Sequence, residues 1–308
     1  MAGYTMKVSS SGQRFLGIAL ATRLLSPLLL VVALGYSLNG TAQPQASSDK
    51  QAMIELGLQN ETAWDLFQTL RSQAEGDGTI GRDEVPDWRG LYMRAFNLRF
   101  DVDQTPDQLT TATLTPEYEA RLIEKIRLAT AGIEYDPISD CSPPGFPRWL
   151  HIPFLREFVV TPYMTLLMSE VVNSVRRIYT DGRGHVPEED RYPLYYGDSI
   201  GFWDRDRLII HTNQLRAGAY TRRNPDHSGQ VETVEIWERI DDRTIEARVW
   251  VYDPPSLLEP WYTMQTYQRI SNDDRRLRIR YWHCGENPNN VVIQTEEGAS
   301  DFADFTFD

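Results

Sequence analysis

Between residues 157 and 282 the chain is cut into short apolar segments, each closed by a tight polar turn, and this pattern limits the fold more than any other. Segments 158–161 and 164–170 flank Pro162-Tyr163, and 175–179 ends at Thr180-Asp181-Gly182-Arg183. Segments 199–203 and 207–212 flank Asp204-Arg205-Asp206; 233–240 and 244–251 flank Asp241-Asp242-Arg243; 261–270 and 276–282 flank Ser271-Asn272-Asp273-Asp274. Apolar runs of this length with such turns predict antiparallel hairpins. Alternation supports them: Ile245, Ala247, Val249 and Val251 oppose Glu246 and Arg248, and Leu277, Ile279 and Tyr281 oppose Arg276, Arg278 and Arg280. Consecutive hairpins with one apolar face curl into a barrel or a strongly bent sheet, because closure removes exposed edges.

Helical patterns lie nearer the N-terminus. Residues 53–74 carry Ile54, Leu58, Trp64, Leu66, Phe67 and Leu70 at helical spacing and stop at Glu75-Gly76-Asp77-Gly78. Trp88-Arg89-Gly90-Leu91-Tyr92 reads as a first strand. A second helix starts at Thr115 as N-cap, with Pro116 in the first position and Glu117 and Glu119 in the first turn. The proline-rich stretch 136–148 can be neither helix nor central strand, so it reads as an ordered crossing. The expected organisation is a helical and linker segment over 43–86, a barrel-like domain with one inserted helix over 87–287, and an acidic tail over 288–308.

Residues 1–42 read as a secretory signal. Lys7 and Arg14 precede an apolar stretch over 15–36, and Gly40-Thr41-Ala42 puts small residues at a cleavage site. The alternative is an uncleaved anchor; no other stretch is long enough to span a bilayer, so no stable span is expected after removal. The expected location is the periplasm or the medium. The net charge is −13, and residues 1–42 contribute three basic groups and no acid, so the remainder carries −16. That acidity excludes a nucleic-acid surface and adhesion to anionic lipid. Cys141 and Cys284 are the two cysteines, and an exported chain with an even count most simply pairs them. The long loop they close would give roughly 4–5 kcal/mol from loop entropy.

Several strings resemble a family of secreted bacterial proteins. They are Pro86-Asp87-Trp88-x-Gly90, Cys141-x-Pro143-x-Gly145-x-Pro147-Arg148, Thr180-Asp181-Gly182-Arg183-x-His185, Gly197-Asp198-Ser199-Ile200-Gly201-x-Trp203 and Cys284-x-Glu286-Asn287. His227-Ser228, Glu238-Arg239, Asp253-Pro254 and Pro260-Trp261 fall between them in order. The resemblance covers most of 86–287 and implies kinship and export, with no mechanism. The chain departs from it at His211, where an aspartate is expected, and at Glu235, where a histidine is expected. The Trp-x-Gly opening followed by a meander is also similar to lipocalins, an analogy of pattern. The fold class expected is therefore mainly β with N-terminal helices, an antiparallel meander forming a lipocalin-like barrel or a strongly bent sheet.

Candidate chemistry concentrates in three places. Asp181, Arg183 and His185 lie on one Gly-containing loop, and loops carry function more often than strands. Asp198 with Trp203 and His211 offers a carboxylate and an imidazole as general acid and base. Trp203, Trp237, Trp250 and Tyr267, with Arg183 and His227, are the candidate ligand contacts; the rings form either a cage or the core. The catalytic candidates are Asp198, His211 and His185. Asp226-His227-Ser228 is no triad, because triads assemble from distant segments, and no Gly-x-Ser-x-Gly elbow occurs. The five histidines show no metal-ligand spacing, so no metal is expected. No glycine-rich phosphate loop is present, so no nucleotide cofactor is expected.

Three functions remain compatible with these residues. The first is an exported binding protein holding a small, partly apolar or aromatic molecule in the barrel. The second is a cofactor-independent lyase, isomerase or hydrolase working in the barrel mouth with Asp198, Arg183, His185 and His211. The third is an envelope protein without a ligand.

Overall fold

The computed structural model describes residues 43–95, 99–221, 223–270, 278–283, 292–294 and 300–302, with side chains described within 49–283. The expected signal segment, Cys284 and most of the expected tail lie outside the described residues. Nine strands close into a barrel: β1 (Leu91–Arg94), β2 (Arg156–Val160), β3 (Met164–Ser169), β4 (Ser174–Tyr179), β5 (Asp198–Asp204) and β6 (Arg207–Asn213), then β9 (Glu232–Arg239), β10 (Thr244–Tyr252) and β11 (Trp261–Arg269). Between β6 and β9, β7 (Gly218–Ala219) and β8 (Asp226–His227) form a two-residue ladder. Within the segment expected as a tail, β12 (Val292–Gln294) pairs with β13 (Ser300–Phe302). The chain is thus mainly β, a closed barrel of the kind the meander predicts, with helices packed outside it.

Around the barrel the order is β1-β11-β10-β9-β6-β5-β4-β3-β2. Nine is odd, so strict alternation of direction cannot close the ring, and one neighbouring pair must be parallel. That pair is β4 and β5, joined through Ile178↔Ser199 and Tyr179↔Ile200. A parallel neighbour needs a return crossing, and residues 180–197 supply it.

The expected last strand over 276–282 does not form in its described part: residues 278–283 belong to no strand. The reason is closure, since β11 already pairs with β10 on one side and β1 on the other, leaving no free edge. The first strand begins at Leu91 rather than Trp88, whose ring instead enters the core.

Strand alternation gives the wall two apolar faces. Inside lie Trp203, Leu208, Ile210, Trp237, Ile245, Ala247, Val249, Val251 and Tyr267. Their rings fill the lumen. Trp237 stacks on Tyr267 with centroids 5.2 Å apart, Phe158 meets Trp237 at 5.7 Å, and Trp88 meets Trp203 at 5.8 Å. Trp88, Trp203, Trp237 and Tyr267 are at most 1% exposed. The lumen also holds an ion pair. Arg176 donates from Nη2 to Glu235 Oε1 at 2.6 Å and from Nη1 to Oε2 at 2.9 Å, with Phe146 of the proline-rich segment against its guanidinium. Thr212 Oγ1 accepts from Arg176, and Trp237 Nε1 donates to Glu235, so most polar atoms of the pair are met.

Outside lie Ile200, Phe202, Ile209, Val234, Ile236, Trp250, Tyr252 and Tyr262, covered by two helices. The single helix expected over 53–74 is two, α1 (Gln43–Leu58) and α2 (Ala63–Gln73). The break is a capping box: Thr62 Oγ1 accepts from Asp65 N–H at 3.1 Å while Asp65 Oδ2 accepts from Thr62 N–H at 3.1 Å. α1 is held by Trp250 Nε1 donating to Met53 O and by Tyr252 OH donating to Gly57 O. A Cβ on Gly57 would lie 2.7 Å from Trp250 Cδ1, so only glycine allows that approach. The third helix, α3 (Pro116–Thr130), starts where Thr115-Pro116 predicts.

Candidate functional site

On the outer face, under the N-terminal turn of α2, four ionisable side chains form one hydrogen-bonded chain. Asp198 opens β5 and points outward, as Ile200 and Phe202 do. Gly197 before it adopts φ +66, and a Cβ there would lie 2.5 Å from Asn213 O, so glycine is required at this turn. The return crossing 180–197 brings His185 over the wall, where His185 Nδ1 and Asp198 Oδ2 are 2.7 Å apart. The backbone N–H of Val186 donates to the same oxygen at 3.0 Å. His185 Nε2 lies 2.7 Å from Nδ1 of His211, which projects outward from β6. His211 Nε2 lies 3.2 Å from Glu232 Oε2, at the start of β9.

α2 covers this chain. The Trp64 ring meets His211 edge-on at 5.2 Å and lies 6.0 Å from His185, while Phe67 packs on His211 at 5.6 Å. The side chains of His211, His185 and Asp198 are 2%, 8% and 11% exposed, but that of Glu232 is 36% exposed. The chain therefore runs from a buried carboxylate to one in contact with solvent. Glu232 also forms part of the wall of a cleft of about 620 Å³ between the start of α2, the 188–193 stretch and the ends of β6 and β9. That is the size range of small-molecule sites.

Asp198 is ionised: burial opposes its charge, but the hydrogen bonds from His185 and Val186 outweigh it and hold the carboxyl below its ordinary value. A carboxylate can only accept, so His185 Nδ1–H donates to Asp198 and His185 Nε2 faces His211 Nδ1. Burial, set against the nearby Glu232, pushes His211 below its ordinary value, so at pH 7 it carries a single ring proton between its contacts to His185 and Glu232. Asp198 orients His185, and the chain ends at Glu232, the member that reaches the cleft.

The structure thus brings together Asp198, His185 and His211 and leaves the other candidates elsewhere. They meet on the outer wall rather than in a barrel mouth. Arg183 is exposed, paired with Asp181 at 2.6 Å and lying over the Tyr179 ring. Trp203, Trp237 and Tyr267 are core rings; Tyr267 OH donates to Leu150 O. Trp250 lies outside under α1. His227 is buried beside Tyr220, with Nδ1 3.2 Å from Ser228 O. The disulfide stays a proposal, because Cys284 is not among the described residues. Among those residues no group of three or more His, Cys, Asp or Glu could hold a metal ion, and no helix is long and apolar enough to cross a membrane. Sequence reasoning missed Glu232 and Trp64. Glu232 carries no local signal, and Trp64 is indistinguishable from a core residue of an amphipathic helix. Glu235, noted only as a departure from a motif, is the inner partner of Arg176. The chain matches no known family model and is similar to no curated protein.

Proposed function

We propose that this chain is an exported, cofactor-independent acid–base enzyme acting on a small organic substrate in the outer cleft, within the lyase, isomerase or hydrolase classes. The observation that carries this reading is the Asp198–His185–His211–Glu232 chain ending at the cleft wall. Glu232 takes a proton from a substrate O–H or C–H, and the bonding pair stays with the substrate. The proton is then held between Glu232 Oε2 and His211 Nε2, and it returns to the product or to the leaving group. Export and a Cys141–Cys284 disulfide belong to the same proposal, resting on the signal-like N-terminus and the even cysteine count.

The test is proton exchange. The protein is incubated in D2O with small ketones, hydroxy ketones and hydroxy acids, and deuterium incorporation is followed by NMR. Wild type incorporates label into at least one class, and Glu232→Gln or His211→Gln lowers the rate by at least a hundredfold. Equal rates in the variants would remove the proposed base. A second reading, an exported protein that binds a small, partly apolar ligand without turnover, draws support from the barrel architecture and from the apolar Leu215, Val231 and Pro254 in the cleft wall. With the lumen filled by rings, the outer cleft is the place for that ligand too.

A further inference from the structure

The outer chain meets the cleft at its Glu232 end, and a second cleft residue reaches its other end; this inference rests on the acid–base reading of that chain. Within the crossing 180–197, every residue of 184–193 is exposed except His185, which is partly buried. Packing therefore does little to fix this stretch, and hydrogen bonds must do it. Among the described residues, its hydrogen bonds to the barrel wall are those of His185 and Val186. His185 meets Asp198 and His211, and Val186 N–H donates to Asp198 Oδ2 at 3.0 Å. The carbonyl side of Val186 is held from within the turn, where Arg191 Nε donates to Val186 O at 3.2 Å. Asp190 N–H donates to Pro187 O and Arg191 N–H to Glu188 O, closing the turn between them. Arg191 also lines the cleft, as Glu232 does. The cleft thus meets both ends of the chain, Glu232 directly and Asp198 through Arg191 and Val186.

Which ring nitrogen of His185 carries the proton depends on the hydrogen bond Asp198 offers to Nδ1. The same oxygen of Asp198 accepts from His185 and from Val186, so a Val186 that moves away takes part of the carboxylate's aim with it. Charge works in the same direction. Burial opposes ionisation of Asp198, and the bonds from His185 and Val186, with the charges of His185 and Arg191, outweigh it. We propose that Arg191 is the positioning residue of the outer chain: from the cleft wall it holds Val186 against Asp198, and through Asp198 it holds the His185 proton on Nδ1.

The experiment is nitrogen–proton correlation NMR of the histidine rings in the full chain at pH 7, with melting curves to show that each variant is folded. Wild-type His185 shows its proton on Nδ1. Arg191→Ala melts as wild type does, because the position is exposed, yet its His185 tautomer ratio shifts about tenfold toward the Nε2–H form, the worth of one hydrogen bond to a charged group. Arg191→Gln restores the wild-type pattern, since glutamine carries an N–H on Cδ as arginine does. Arg191→Lys, charged but without that N–H, behaves as Arg191→Ala does. If Arg191→Ala fails to fold, the glutamine and lysine variants decide alone. A His185 ring unchanged in Arg191→Ala overturns the proposal. So does rescue by lysine and not by glutamine, which would make charge rather than the tether the cause. If His185 responds while deuterium exchange is unchanged in Glu232→Gln, the positioning role stands and the base falls. If His185 does not respond while Glu232→Gln abolishes exchange, the base stands and Arg191 is only a residue of the cleft wall.

Discussion

The same three strands carry two polar systems, one on each face of the wall. Ser199, Thr212 and Glu235 point inward to Arg176, while Asp198, His211 and Glu232 point outward, Asp198 and His211 meeting His185 and Glu232 meeting His211. The inner system is closed: a bidentate pair with both partners at most 1% exposed, bridged by hydroxyls and one indole. Its groups have fixed partners and no route to solvent. The outer system is equally ordered at one end and open at the other, where Glu232 reaches the cleft. One residue of shift along a strand moves a side chain from the locked set to the responsive one. The contrast teaches that a buried polar group becomes a candidate for chemistry only when its chain of partners ends at a surface.

Breaking the inner pair has the largest expected effect. Glu235→Ala leaves Arg176 buried without its counter-charge and costs about 3–5 kcal/mol, read from denaturant unfolding. Replacing both partners with apolar residues of similar volume recovers most of that loss. If the single and double variants lose equally, the pair is not what fills the lumen.

The outer system makes stability depend on pH. Burial, the largest cause, pushes His211 down, so near and below the ordinary value of 6.5 the unfolded chain binds more protons than the folded one. Stability is full above 6.5 and falls as pH drops through that window. His227 and His151 are also pushed down, again first by burial, and contribute in the same direction. Asp198, held low despite burial, adds stability above its ordinary value of 3.8 that is lost as pH falls below it. His211→Gln flattens the slope of unfolding free energy below pH 6.5, because the proton the unfolded chain takes up at that position is gone. An unchanged slope would mean that His151 and His227 carry all of it.

Two smaller effects sharpen the comparison from the side of α2. Thr62→Ala removes the capping box beside the cleft and costs about 1 kcal/mol. Trp64→Ala opens the outer chain to water while leaving the inner pair untouched. The His211 titration, followed by NMR, then moves up toward 6.5 because the burial that lowers it is relieved. A titration unmoved in Trp64→Ala would show that the strands, rather than the helix, keep water away.

Much of the fold was legible in local pattern. Thr115-Pro116 marked the start of α3; the turns at Pro162-Tyr163 and Asp241-Asp242-Arg243 fall between the strands they were expected to join, and at Asp204-Arg205-Asp206 only the last two residues form the turn, Asp204 ending β5. The Thr62/Asp65 break was missed because an unbroken apolar stripe hides a cap that only its hydrogen bonds disclose. The strand expected near 276–282 was misjudged because alternation cannot report whether an edge is free. At the candidate site, Asp198, His185 and His211 stood out as residue types in Gly-bounded or apolar settings. Their convergence was not readable, because His185 and Asp198 stand 13 positions apart and it is the β4–β5 parallel pairing that folds the crossing between them back.

By itself, the sequence determined the β-rich class, the hairpin turns and the two-faced strands, because each depends on neighbours within a few residues. Tertiary structure alone decided which face met solvent, why nine strands needed one parallel pair, and that Glu232 would stand beside His211. Those depend on ring closure and on register between strands distant in the chain, where a side chain's partner is set by the whole barrel.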